Sequence, residues 1–129
     1  MILPQQQPSS QLLGQQGEQL VVQHLRQQGF VIIAQNYKQF FGEIDIIAQS
    51  GQVLAFIEVK TRKNSIVSLY ELVTPAKQQK IIKVANTFVT QRKIPLSNIV
   101  CRFDVALIAI QDLKPVLTYI PNAFCAGDF

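Results

Sequence analysis

Cysteine is scarce in this chain of 129 residues. The two present, Cys101 and Cys125, have neither metal-ligand spacing nor the density of a disulfide framework. Cys101 falls in an apolar, strand-like run and reads as a core thiol. Charge is scarce as well: 16% of residues are charged against 48% hydrophobic, which excludes a disordered chain and favours a globular fold. No uncharged apolar run approaches the ~20 residues of a membrane span. The opening MILPQQQPSS lacks a basic segment followed by a continuous apolar one, so no signal peptide is expected. A cytoplasmic protein with reduced thiols is the expectation.

Polarity comes instead from glutamine, 18 residues of it, most of them before residue 53. The net charge of +4 is mildly basic and inclines the chain towards an anionic partner. Residues 1–9 are Pro- and Gln-rich and read as a flexible tail, leaving 10–129 as one domain. Ser9 or Ser10 can cap a helix over about 11–28 that Gly29 ends. Strands are expected at 30–35, 43–49 and 52–60, the last two joined through Ser50-Gly51. Residues 62–73 show no clear period and read as an ordered loop or flap. Thr74-Pro75 then starts a helix to about Arg92, with Ile81, Ala85, Phe88 and Val89 at helical spacing. Strands at 98–110 and 114–120 follow, with Gln111-Asp112 in the turn. The order is helix, three strands, helix, two strands: a mixed α/β fold.

Three charges sit where that sheet needs apolar residues. Alternation puts Glu43, Asp45 and Ile47 on one face of the first hairpin strand, and Ile44, Ile46 and Ala48 on the other. On the second strand Leu54, Phe56, Glu58 and Lys60 share a face. The hairpin can therefore bring Asp45 to Glu58 and Lys60. Two converging carboxylates repel each other and cost several kcal/mol of desolvation per ion, roughly, which a divalent cation removes. Two carboxylates, a backbone carbonyl and waters suit Mg²⁺ or Mn²⁺. Lys60 can then hold a nucleophilic water or a phosphate. The plainer alternative is a Glu58–Lys60 ion pair at a strand end, with Asp45 on a solvated face. Glu18 lies on or beside the apolar stripe of the first helix, with Val21, Val22 and Leu25 at i+3, i+4 and i+7, so it either joins this site or pairs with a nearby Lys or Arg.

Other features lie outside this constellation. Lys77, Lys80 and Lys83 form either a phosphate-contacting rail or a solvated helix face. Arg62 and Lys63 directly follow the Glu58–Lys60 pair and are better placed for phosphate. Phe40-Phe41 can stack on bases, cover the sheet edge or meet a second copy. His24 reads as a boundary histidine, and Asp104 as a structural carboxylate pairing with a Lys or Arg.

The helix glutamate followed by the D…E-x-K hairpin resembles the PD-(D/E)xK nuclease superfamily, whose fold is restriction-endonuclease-like. More narrowly, GE at 17–18, Asn36, GEIDIIA at 42–48, FIEVKTR at 56–62, VTPAKQQK at 73–80, RFDVALI at 102–108 and NAF at 122–124 are similar to the YraN-type family, which itself resembles archaeal Holliday-junction resolvases. The likeness spans nearly the whole chain after about residue 12. It implies a central mixed five-stranded sheet flanked by helices in the order α-β-β-β-α-β-β. It implies Asp45, Glu58 and the Val59 carbonyl as metal ligands, Lys60 as catalytic lysine and Glu18 as the acidic helix residue. Function would be that of a Mg²⁺- or Mn²⁺-dependent endonuclease on structured or branched DNA, with Arg62, Lys63, Lys77, Lys80 and Lys83 on the nucleic acid. The alternative is a non-catalytic nucleic-acid-binding or scaffold module of the same fold. The chain departs from the pattern before GEID, where YKQFF offers only Lys38. That lowers the electrostatic grip on a phosphate backbone, which a homodimer would restore by doubling the basic surface.

Overall fold

The computed structural model describes residues 10–63 and 69–126. The tail expected over 1–9, with Ser9 as a cap, lies outside the described residues. Helix α1 (Ser10–Gln27) leads into strands β1 (Val31–Gln39), β2 (Gly42–Ser50) and β3 (Val53–Lys63). A short helix α2 (Leu69–Leu72), helix α3 (Pro75–Gln91) and a 3-10 turn (Leu96–Asn98) follow, and strands β4 (Val100–Gln111) and β5 (Lys114–Phe124) complete the order. The segment 62–73, expected as a loop or flap, divides: Arg62 and Lys63 extend β3, 64–68 lie outside the described residues, and Leu69–Leu72 form one helical turn.

Local chemistry accounts for the helix ends. Gly29, at φ +89°, lets the Phe30 amide donate to the Leu25 carbonyl (2.9 Å) and the Gly29 amide to the Arg26 carbonyl (3.1 Å), a Schellman closure that needs a left-handed residue. At the start of α3, Pro75 has no amide proton to leave unpaired, and the Thr74 hydroxyl accepts the Lys77 amide at 3.3 Å.

The sheet runs in the order β1-β2-β3-β4-β5, antiparallel except for the parallel β3–β4 pair. A parallel neighbour requires a crossover, and α3 supplies it. Each face carries its own core. Ile81, Val84, Ala85, Phe88 and Val89 of α3 close over Ile44, Ile47, Leu54, Phe56, Phe103 and Val105. On the opposite face Val21, Val22 and Leu25 of α1 cover Ile46, Ala48, Ala55, Ile57, Ala106 and Ile108. Gly17 lets α1 come close: a Cβ there would stand 2.7 Å from the Thr61 hydroxyl and 2.9 Å from Cδ1 of Ile108.

One expectation about the sheet fails in a useful place. Strict alternation would put Ile44 and Ile46 on one face, but Ile44 packs on the α3 side and Ile46 on the α1 side. On the neighbouring strand Ala34 and Tyr37 likewise both pack on the α3 side. The pairs Gln35–Ile46 and Tyr37–Ile44 flank the change, so it falls at Asn36 and Asp45. Asn36 takes φ +52°, a left-handed conformation that reverses the pleat. A second correction concerns Cys101, which is exposed, not buried: β4 begins at an uncovered margin of the sheet, where Val100 is exposed too.

Candidate functional site

The β2–β3 ladder ends at Ile46–Ile57, so the two strands part beyond that pair. Asp45 is the first residue past the fork, and its Oδ2 accepts the Val59 amide at 2.7 Å. A side chain thus replaces the backbone partner that β2 no longer offers. In an extended strand the amide and carbonyl of one residue face the same neighbour. The Val59 carbonyl accordingly faces the same fork as its amide. Glu58 and Lys60 flank Val59 and pair with each other, Nζ to Oε1 at 3.0 Å, both half-buried.

Glu18 reaches the same place from α1. Its Oε2 accepts the Asn36 amide at 3.3 Å, from the residue whose left-handed backbone turns β1 opposite Asp45. Glu18, Gly14, Val59, Lys60, Thr61, Arg62 and Lys63 line a cleft of about 540 Å³ between α1 and the end of β3. Asp45 and Glu58 stand just behind this lining, bonded to Val59 and Lys60. The ion pair of the plainer reading is thus present, but Asp45 is half-buried at the fork and not on a solvated face.

The electrostatics of the fork centre on Asp45. Burial pushes its carboxyl up to about 7, and Glu58 adds the next largest push; the Val59 amide opposes them, while Glu18 and Glu43 push further upward. Four carboxylates therefore crowd one end of the sheet. Among the described residues no three Asp, Glu, His or Cys side chains form a ready chelating group. What stands at the fork is two carboxylates, Asp45 and Glu58, beside the carbonyl of Val59. All are hard oxygen donors, the push between the two carboxylates is only partly offset by Lys60 and the Val59 amide, and such a set suits a hard divalent cation.

Not every candidate gathers here. Arg62 and Lys63 line the cleft, whereas Lys77, Lys80 and Lys83 lie along α3 on the other face. Lys77 Nζ donates to the Leu72 carbonyl (3.4 Å), Lys80 stands against Gly42, and Lys83 Nζ lies 4.6 Å over the Phe41 ring. Asn36 was visible in the sequence only as part of a motif; its place opposite Asp45 depends on a backbone angle that spacing does not encode.

Asp104 forms a separate, fully buried centre. It accepts Arg102 through Nε and Nη2 (2.9 Å each), the Tyr119 hydroxyl, and the Asn122 amide at 2.9 Å. Burial and the bond to Asp104 push the Tyr119 hydroxyl well above its ordinary pKa, so it stays a donor. His24 lies against the Tyr119 ring, at 5.1 Å between centroids. The RFDV and NAF segments are thus tied together in a structural knot, as Asp104 was expected to do with a Lys or Arg.

The model of the uncharacterised protein family UPF0102 matches residues 17–108. This chain belongs to that family. A UPF0102 protein of Vibrio campbellii is 42% identical over 92% of this chain and 97% of its own length. One from Dictyoglomus turgidum is 41% identical over 87% and 96% respectively. Among solved structures, Hjc of Archaeoglobus fulgidus, a Holliday junction resolvase from an archaeal hyperthermophile, superposes with a TM-score of 0.52 at 21% identity, covering 84% of this chain and 71% of its own. The UPF0102 fold is therefore resolvase-like: a mixed five-stranded sheet between helices. No helix among the described residues is long and apolar enough to cross a membrane.

Proposed function

We propose that this UPF0102 protein is a divalent-metal-dependent phosphodiesterase of the nuclease type, acting on structured or branched DNA. The observation that carries the reading is the 2.7 Å bond from the Val59 amide to Asp45. It fixes a carboxylate against the Glu58-Val59-Lys60 segment at the fork of two strands.

In this reading Asp45, Glu58 and the Val59 carbonyl hold Mg²⁺ or Mn²⁺. The ion, when bound, supplies a Lewis acid for the phosphate and lowers the pKa of water. Lys60, held 3.0 Å from Glu58, presents an ammonium into the cleft, where it orients the attacking water and offsets charge growing on the phosphate. Glu18 supports the site from α1, and Arg62 and Lys63 grip flanking phosphates at the mouth. A branched substrate draws support from the fold shared with a protein described as a Holliday junction resolvase. A homodimer suits such a substrate, since two clefts then meet two strands, and the reading places the protein in the cytoplasm.

The test is a cleavage panel of duplex, single-stranded, flapped and four-way-junction DNA, with RNA counterparts, in Mg²⁺ or Mn²⁺. Wild type should cut a branched DNA, and Asp45→Ala and Glu58→Ala should abolish cutting with the fold retained by circular dichroism. Undiminished cleavage by both variants overturns the mechanism. The Lys60–Glu58 ion pair favours a second reading, a non-catalytic nucleic-acid-binding module. Tight DNA binding with no cleavage and no Mn²⁺-induced thermal shift would establish it instead.

A further inference from the structure

Two phenylalanines make up the entire turn between β1 and β2, because Gln39 already pairs with Gly42. Two-residue hairpin turns favour Asn, Asp or Gly, whose backbones accept the positive φ of the primed turn types. The β4–β5 turn has that geometry, with Asp112 at φ 49° and Leu113 at φ 62°. Phe40 and Phe41 do not adopt positive φ. The tip therefore forgoes the favoured turn chemistry and presents an aromatic pair.

The pair is asymmetric. Phe41 packs inward against the α3-side core, while Phe40 is 98% exposed. The Phe40 ring stands edge-to-face on Phe41 (5.0 Å, 90°), and the Lys83 ammonium covers Phe41 at 4.6 Å. Gly42 brings the tip close to α3, where a Cβ would lie 3.2 Å from Val84 and 3.9 Å from Lys80. A lone exposed apolar side chain needs no explanation. Here the bare ring is braced from behind by a second ring that carries the Lys83 ammonium, and the backbone and Cβ of Lys80 lie beside Gly42 at the base of the tip. Lys38, also exposed, is opposed across the ladder by Glu43.

An apolar, flat face with cations beside it fits an unpaired base and its neighbouring phosphates. Intact duplex keeps both faces of every base stacked, so a free face occurs at a branch, gap or flap. Gly42 and Asp45 are three residues apart on β2, about 10 Å, which is roughly three nucleotides along a strand. One DNA strand can thus meet both the tip and the fork.

We infer that the β1–β2 hairpin tip is a base-stacking wedge that reads a discontinuity in DNA, with Phe40 on an unpaired base and Lys80 and Lys83 on the phosphates beside it. The inference rests on the DNA-directed function proposed above and names the feature of the substrate that is recognised.

The experiment measures binding in EDTA, so that no cutting intervenes, to a three-nucleotide-gapped duplex and to a blunt duplex of the same length. Phe40→Ala should weaken gapped-DNA binding by about 5- to 150-fold, the range expected for one lost base stack, and blunt-duplex binding by less than about 2-fold. The chain has no tryptophan, so Phe40→Trp introduces a sole indole whose emission gapped DNA should quench. Unchanged affinity in Phe40→Ala, or an unquenched indole, overturns the wedge while leaving the nuclease reading intact. Sedimentation velocity gives the other overturning result: a dimer lost in Phe40→Ala would assign the ring to a second copy of the chain. If wild type binds neither DNA at low salt, the nuclease reading falls and the wedge falls with it.

Discussion

Asp45 is held at the fork by one backbone amide while burial and three neighbouring glutamates work against its charge. The consequence for stability has a definite sign. A carboxyl whose folded pKa is about 7, against the usual 3.8, binds a proton more tightly in the folded state. Stability therefore falls as pH rises from about 4 to 7 and stays low above 7, by ~4 kcal/mol at most for a shift of this size. Asparagine keeps an oxygen for the Val59 amide and carries no charge. Urea melts without divalent ions should find Asp45→Asn more stable than wild type at pH 8, the advantage narrowing below pH 7 and vanishing near pH 4. An advantage that does not change with pH would show that the charge is not the source of strain. Asn36 invites a second test at this scale. Glycine tolerates its φ of +52° but removes the amide that Glu18 accepts. Asn36→Gly should keep the fold yet raise the Mn²⁺ concentration needed for half-maximal cleavage by about 10-fold, as loss of an outer partner does elsewhere. Asp45, Glu58, Lys60 and Glu18 were legible as candidates because charge in an apolar strand or beside an apolar stripe stands out. Asn36 was not, since its contribution is a backbone angle at a polar position that spacing alone passes over.

Elements meet at distances that the smallest residues set. Gly17 precedes Glu18 on α1 and touches Thr61 on β3 and Ile108 on β4, so one position governs both the helix–sheet spacing and the reach of Glu18 into the cleft. Alanine there gains up to about 1 kcal/mol of helix propensity but forces contacts of 2.7 and 2.9 Å apart. Overpacking of this kind costs ~1–3 kcal/mol, so with the propensity gain set against it a net loss of up to about 2 kcal/mol is expected from denaturant melts of Gly17→Ala. Cleavage should fall with it, because α1 must retreat from β3; a variant as stable and active as wild type would show that the helix has slack. Most elements were legible from periodicity and caps: α3 begins at the expected Thr74-Pro75 and buries the expected Ile81, Ala85, Phe88 and Val89. Alternation breaks twice, at the register shift that sends Ile32 and Ala34 to opposite faces and at the pleat reversal of Asn36 and Asp45, and at the second the departure from the regular strand is what opens the fork. Strands β1 and β5 run to Gln39 and Phe124, past their expected ends at residues 35 and 120: in β1 pairing continues through the largely polar residues 36–39, and in β5 it resumes at Phe124 beyond Pro121-Asn122, which read as a strand end.

For the whole molecule, a net charge of +4 conceals a segregation of charge. Glu18, Glu43, Asp45 and Glu58, half of the eight acidic residues, act on one end of the sheet. Left uncompensated, that end repels a phosphate backbone, and the surrounding cations only offset it. The mixed sheet was implied by the family resemblance, and the helix between β3 and β4 is what permits its parallel pair; the meeting of Asp45, Glu58 and Glu18 was legible from alternation and the helix stripe, whereas the push that Glu43 adds to the same end was not. The cations differ in availability. Lys60 is paired with Glu58 and Lys77 donates to the Leu72 carbonyl, whereas Arg62, which donates one N–H to the Thr61 carbonyl at 3.0 Å and has others to spare, lines the cleft with Lys63, and Lys83 lies over Phe41 with Lys80 at the base of the hairpin tip. If cleft and tip engage one DNA together, about four phosphates are neutralised, and log K should fall with log salt at a slope of about −3.6. The slope is best measured in EDTA on an Asp45→Asn, Glu58→Gln protein, in which the acidic end no longer repels the ligand. Lys80→Gln with Lys83→Gln should then lower the slope to about −1.8, leaving only the two cleft contacts. A slope unchanged by those two substitutions would place the DNA on the cleft alone, and would separate the chemistry at the fork from recognition at the tip.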